Sequence, residues 1–180
     1  LSIDNLTPDT TICPDANILL SVSGNGGSSA YTFTWFENGT LVNTGTQITV
    51  NPNITQTEYC VELSELCGSP TDTECMTINF PTPIEPSAIA DEYEKCVPDR
   101  FYFLNTSTNA NEIASTLWEF GGFDNIIVNV DDSTSHFYDQ TGFHTIIMTT
   151  TSIFGCVYSD TLENFIEVKA SPTADFNFSN

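Results

Sequence analysis

The chain has 180 residues, 24 of them acidic and three basic (Lys95, Arg100 and Lys169), for a formal net charge of −21. So few cations argue against nucleic acid as a partner and against docking on anionic lipid. Hydrophobic residues make up 39% and aromatic residues 12% of the chain, which argues against disorder and fits one large domain or two small ones.

No apolar run is long enough for direct membrane insertion, and no basic stretch precedes an apolar one as in a secretory signal. The chain opens on LSIDNLT, without Met, and stops inside a pattern, so it reads as a segment of a longer protein.

Strands are expected at 18–22, 32–36, 47–50, 58–63, 75–80, 101–104, 116–120, 126–130, 145–151 and 164–169. Each is a short or alternating apolar run rich in Thr, Val, Ile, Phe and Tyr, bounded by Gly, Pro, Asn or Asp. Only 112–117 has room for a helical turn, leading into a strand. The fold class is therefore all-β, with sandwiches as the architecture. Phe80-Pro-Thr-Pro-Ile-Glu-Pro carries three prolines in the six residues after Phe80 and reads as a linker, because proline cannot donate to a central ladder. This divides the chain into domains at 1–84 and 85–170. Pro172-Thr-Ala-Asp-Phe resembles the opening Pro86-Ser-Ala-Ile-Ala, so 171–180 reads as the start of a following repeat.

The second unit carries Trp118-Glu-Phe120-Gly121-Gly, then His136-Phe-Tyr138, then Gly142-Phe-His-Thr-Ile, then Gly155-Cys156, preceded by Phe101-Tyr-Phe-Leu-Asn-Thr-Ser. In this order these motifs resemble the PKD domain, an immunoglobulin-like β-sandwich, over residues 86–170. Gly122 stands where that family usually has Asp. The resemblance implies that Trp118 and Phe120 are core aromatics and that Gly121 and Gly122 form a tight turn. It also implies that His136 and Tyr138 flank Phe137 at a strand start, and that Gly142 turns into the next strand. The first unit, with Tyr31-Thr-Phe-Thr-Trp35 and Glu58-Tyr-Cys-Val-Glu-Leu, resembles PKD-like and immunoglobulin-like repeats of very large Bacteroidota surface proteins. Those proteins include gliding-motility adhesins exported by the type IX secretion system. Trp35 is the matching core aromatic.

Six cysteines point to an oxidising compartment, and the absence of a CxxC pair argues against zinc. Cys96 and Cys156, alone in the second unit, are expected to pair. In the first unit three pairings are open, and Cys60–Cys75 with Cys13–Cys67 is preferred, since Cys60 and Cys75 lie on two strands joined by a Gly-Ser-Pro loop. Asp91, Glu92 and Glu94, with Asp131 and Asp132, are the densest oxygen clusters and the candidate calcium ligands. No other cofactor is expected. Asn5, Asn38, Asn53, Asn105 and Asn177 stand in N-x-S/T sequons, and Thr10, Ser133 and Thr161 follow Asp in the pattern of Bacteroidota O-glycosylation.

His136 and His144 both fall inside strand motifs, and no nucleophile elbow, zinc motif or phosphate loop is present, so catalysis is not expected. The reading is a tandem of sandwiches from an extracellular protein attached at the outer membrane, spacing and stiffening an adhesive or gliding-motility filament. Its partners would be neighbouring repeats of the same chain, surface polysaccharide or other cell-surface proteins. The competing reading is an accessory module of a secreted polysaccharide- or protein-degrading enzyme.

Overall fold

Alternating burial in the strands builds two separate cores. A computed structural model describes residues 1–28, 30–121, 125–128 (backbone only) and 133–175. The chain divides into two units, Leu1–Pro81 and Thr82–Asn180. The division precedes residue 84 because the proline-rich stretch is tied to the second unit. There the Asn109 Nδ2 donates to the Pro83 carbonyl at 2.9 Å, and the Glu85 N–H donates to Thr108 Oγ1 at 2.8 Å.

The first unit contains β1 (Ser2–Asp4), β2 (Thr10–Thr11), β3 (Ile18–Ser21), β4 (Ser23–Asn25), β5 (Tyr31–Glu37), β6 (Thr40–Thr44), β7 (Gln47–Val50), β8 (Gln56–Glu65) and β9 (Asp72–Asn79). Five strands form one sheet in the order β2-β9-β8-β5-β6, with β2 parallel to β9 and the others antiparallel. The pairs β1-β4 and β3-β7 carry the rest. Period-two alternation turns Phe33 and Trp35 of β5, and Tyr59, Val61 and Leu63 of β8, into a core with Leu20, Ile48, Met76 and Ile78.

The second unit contains β10 (Ala88–Ala90), β11 (Glu94–Cys96), β12 (Asp99–Asn105), a 3-10 turn (Ala110–Glu112), β13 (Ile113–Glu119), β14 (Asn125–Val128), β15 (Ser133–Tyr138), β16 (Gly142–Ser152) and β17 (Val157–Lys169). Its five-stranded sheet runs β11-β17-β16-β13-β14, with β11 parallel to β17, and a three-stranded sheet runs β10-β12-β15. The core gathers Phe101, Phe103, Trp118, Phe120, Tyr138, Ile146, Met148, Ile166 and Val168. The chain is a tandem of all-β sandwich units.

The ten expected strands are present. The one expected at 126–130 is described as Asn125–Val128, and 129–130 lie outside the described residues. The six strands that went unread (β1, β2, β4, β6, β10 and β11) are short or polar. β15 is expected only from His136-Phe-Tyr138, because it begins Ser-Thr-Ser and has no apolar period to read. Residues 171–175 form no strand.

Candidate functional site

The motif residues of the second unit converge. Trp118 and Phe120 leave β13 on its inner face with parallel rings 6.2 Å apart. Phe120 stacks on His136 at 4.7 Å, His136 meets Tyr138 edge-on at 4.4 Å, and the Tyr138 ring lies 4.4 Å from that of His144. Gly121 and Gly142 have φ of +89° and +131°, so each turn needs a residue without a Cβ. Gly122 lies outside the described residues. His136 and Tyr138 sit at the end of β15 and not at its start. The strand is set by pairing with β12, which runs from Ser133 opposite Leu104 to Tyr138 opposite Asp99.

This ladder borders a cavity of about 340 Å³ lined by Phe120, Gly121, His136, Phe137, Tyr138, Asp139, Gln140 and His144. His144 Nε2 lies 3.1 Å from the Gln140 carbonyl, so a proton on that nitrogen is donated there. Burial pushes the Tyr138 phenol well above its ordinary value and keeps it neutral. Among the described residues the lining offers no serine, threonine or cysteine nucleophile, and both histidines serve as rings in a packed stack. Sequence reasoning missed Asp139 and Gln140, whose only signal was their place between the His-x-Tyr and Gly-Phe-His motifs. It also missed an open groove of about 590 Å³ lined by Ile84, Glu85, Ser87, Thr106, Thr108, Tyr158 and Asp160, among others. In the first unit Trp35 is fully buried, and its indole N–H donates to the Gly45 carbonyl at 2.8 Å.

Cys60 and Cys75 are bonded across β8 and β9, where they are directly opposite in register, on the outer face of the sheet. The other two expected pairings are absent, because Cys67 and Cys96 are exposed free thiols. Cys67 precedes the start of β9, whereas Cys13 follows β2, whose Thr11 pairs with Asn79 at the other end of β9. The two are about 25 Å apart at about 3.3 Å per residue. Cys96 lies opposite Lys169 at one end of β17, and Cys156 precedes Val157 at the other; β17 bulges between Leu162 and Ile166, and the paired run of β16 from Gly142 to Thr151 sets the separation at about 30 Å. A disulfide needs Cα atoms within about 7 Å. Cys13 and Cys156 are nevertheless disulfide-bonded, not thiols.

Two of the candidate calcium ligands are engaged otherwise. Asp91 holds the Lys95 ammonium at 2.7 Å and accepts the Tyr102 N–H at 3.0 Å. Burial opposes ionisation of Asp91, but these donors outweigh it and hold the carboxyl below its ordinary value. Lys95 also lies 5.0 Å from the centre of the Phe101 ring and donates to the Arg100 carbonyl at 2.7 Å. Glu94 pairs with Lys169 at 2.5 Å, and Lys169 also reaches Glu167, which faces Glu94 across β11 and β17. Glu92 is exposed. Asp131 and Asp132 lie outside the described residues. Among the described residues one triad of potential ligands converges, Glu58 with Cys60 and Cys75, and its two sulfurs are bonded to each other.

Of the modification candidates, Ser133 and Thr161 are exposed and Thr10 is half-buried. Asn5, Asn38 and Asn53 are exposed. Asn105 is committed internally, donating to Thr116 Oγ1 and accepting from the Ser107 N–H and hydroxyl. Asn177 lies outside the described residues. Among the described residues no helix is long and apolar enough to cross a membrane.

No protein-family model matches the chain, and no curated protein matches it in sequence. Solved structures similar to it include the three N-terminal domains of the bacteriophage RB49 highly immunogenic outer capsid protein. That likeness has a TM-score of 0.55 and 9% identity, over 95% of this chain and 70% of that one. Fibronectin(III)-like modules of Clostridium thermocellum CbhA align at TM-score 0.45 and 10% identity over 99% of both chains. The insect immune protein hemolin aligns at TM-score 0.45 and 7% identity, over 94% of this chain and 46% of that one. At such identities the likeness is one of fold. The class that the fold defines is a tandem of all-β sandwich units.

Proposed function

We propose that the chain is a non-catalytic structural and adhesive segment of a large extracellular protein, with a PKD-like second module, spacing and stiffening a cell-surface filament in adhesion or gliding motility. The observation that carries this reading is the shared strand order of the two units, β2-β9-β8-β5-β6 and β11-β17-β16-β13-β14, each with a parallel edge strand and a tryptophan in the fourth strand of that order. One supersecondary plan used twice in 180 residues is what a repeat array consists of. The cross-strand disulfide in the first unit supports an oxidising, extracellular setting. The net charge of −21 keeps such modules soluble and mutually repelling. Export by a type IX route, outer-membrane attachment and a Bacteroidota origin rest on the sequence resemblance.

Neighbouring repeats are the first partners in this reading. Surface polysaccharide is the second, and the groove beside Glu85 and Asp160 supports it, because its hydroxyls and carboxylates match sugar hydroxyls. The deciding experiment is the mass and domain content of the intact parent protein from its source cell surface. A very large chain of such repeats without hydrolytic activity is expected. A modest chain with a hydrolase domain beside these modules would overturn adhesion in favour of an accessory role.

A further inference from the structure

The two bridged sulfurs of the first unit share their place with a third group. Cys60 on β8 and Cys75 on β9 are directly opposite in register, with Cα atoms 4.0 Å apart, although 15 residues separate them in sequence. Glu58 stands two residues before Cys60, so period-two alternation puts all three on the outer face of the sheet. A Glu58 carboxylate oxygen and the two Sγ atoms lie within 4.8 Å of one another. Two ligand atoms on one ion are at most the sum of their bonds apart, about 4.6 Å for two Zn–S bonds. The triad is thus a small side-chain rotation away from sharing an ion. Glu58 and Cys75 are exposed, so solvent reaches the site.

Glu58 is held in place by its backbone and left available at its carboxylate. Asn38 Oδ1 accepts the Glu58 N–H at 3.1 Å, and the Asn38 N–H donates to the Glu58 carbonyl at 2.9 Å. Asp91 and Glu94 spend their oxygens on lysines, whereas the Glu58 carboxylate makes no hydrogen bond or ion pair among the described residues.

We infer that Cys60, Cys75 and Glu58 form a zinc site whenever the bridge between the two cysteines is reduced. Two thiolates, one carboxylate oxygen and a water in the exposed fourth position make a tetrahedral set that suits zinc. Calcium and magnesium take about six or more oxygen ligands and disfavour sulfur. The dithiol is the form in which the chain is made, since cytosolic thiols are kept reduced. Ion and bridge use the same two sulfurs, so each excludes the other. Oxidation takes two electrons from the thiolates, forms the S–S bond and frees the ion. A dithiol reductant returns the electrons while closing its own disulfide, and the two thiol protons leave as the ion binds. The inference does not depend on the proposed filament role.

The test is zinc binding by the whole chain, reduced with excess dithiol, freed of it under nitrogen and titrated against a chromophoric chelator. The reduced chain is expected to bind zinc at Cys60 and Cys75, and the oxidised chain to bind none there. Cys60→Ser with Cys75→Ser is expected to lose about one ion per chain. Glu58→Gln is expected to weaken that ion about tenfold or more, at least what loss of an outer-shell partner costs. Cys13→Ser, Cys67→Ser, Cys96→Ser and Cys156→Ser together leave only the pair at issue and should keep the ion. Circular dichroism reports folding, and where the quadruple variant does not fold, the comparison of wild type with Cys60→Ser, Cys75→Ser decides. No zinc on the reduced chain, equal binding without Cys60 and Cys75, or indifference to Glu58→Gln each overturns the inference. So does a reduced chain that is unfolded with and without zinc, because only the β8–β9 register brings the three ligands together.

Discussion

Trp35 and Trp118 hold the same structural position in their respective units. Trp35 lies directly opposite Val61 on the neighbouring antiparallel strand, and Trp118 lies directly opposite Met148 on its own. Each is among the largest fully buried side chains, the first 0% and the second 1% exposed. Truncating either removes the largest contact surface in its core. Trp35→Ala and Trp118→Ala are each expected to cost about 3–5 kcal/mol by denaturant unfolding. A loss under about 1 kcal/mol at either position would mean that the core is built on other residues.

Gly24, in β4, tests packing without invoking backbone strain. A Cβ there would lie 2.8 Å from Leu63 Cδ2 and 3.2 Å from Phe33 Cζ. Both neighbours are buried core side chains, Leu63 0% and Phe33 4% exposed, so an added methyl must displace them within the core. Gly24→Ala is expected to destabilise the first unit by about 1–3 kcal/mol, as overpacking does, read as a shift in the urea midpoint.

The thiol count discriminates between bridging patterns. Native protein should react with a thiol reagent at Cys67 and Cys96, and peptide mapping without reduction should recover Cys60 linked to Cys75. Labelling confined to unfolded protein would contradict the exposure of these two thiols. Cys60→Ser with Cys75→Ser opens a loop of sequence separation 15 and is expected to cost about 3 kcal/mol in the chain-entropy account.

Acid should act through two carboxylates. Glu65 is held down to about 2 from an ordinary 4.5 by the hydroxyls of Ser28 and Ser69 and the Ser28 N–H. Asp91 is lowered as well, since Lys95 and the Tyr102 N–H outweigh its burial. A lowered folded value means that the stabilisation is complete above the unfolded value and is lost as pH falls through the folded one. The melting temperature should therefore hold steady from pH 7 to 5 and fall between about 4.5 and 2. Glu65→Gln should flatten that fall. An identical profile in the variant would remove Glu65 from this account.

Calcium should do little at Asp91 and Glu94, whose oxygens already face Lys95 and Lys169. The melting temperature is expected to be the same in calcium and in chelator. A rise with calcium would show that these pairs open or that other carboxylates bind the ion.

The sequence by itself determined what depends on near neighbours along the chain. Alternation in Tyr31-Thr-Phe-Thr-Trp put Phe33 and Trp35 on one buried face, and the Trp-x-Phe-Gly and Gly-Phe-His steps marked the core and turns of the second unit. It also placed Cys60 and Cys75 on adjacent strands, because a short loop joins them. The tertiary structure alone decided whatever depends on register between distant segments. Short polar strands such as β6, β11 and β15 exist only because a longer strand pairs with them. Cys67 and Cys96 are left as thiols because their expected partners lie at opposite ends of strands eight and thirteen residues long. The stacking of Phe120, His136, Tyr138 and His144 likewise requires three strands in two sheets to close on one another, and no local pattern encodes that closure.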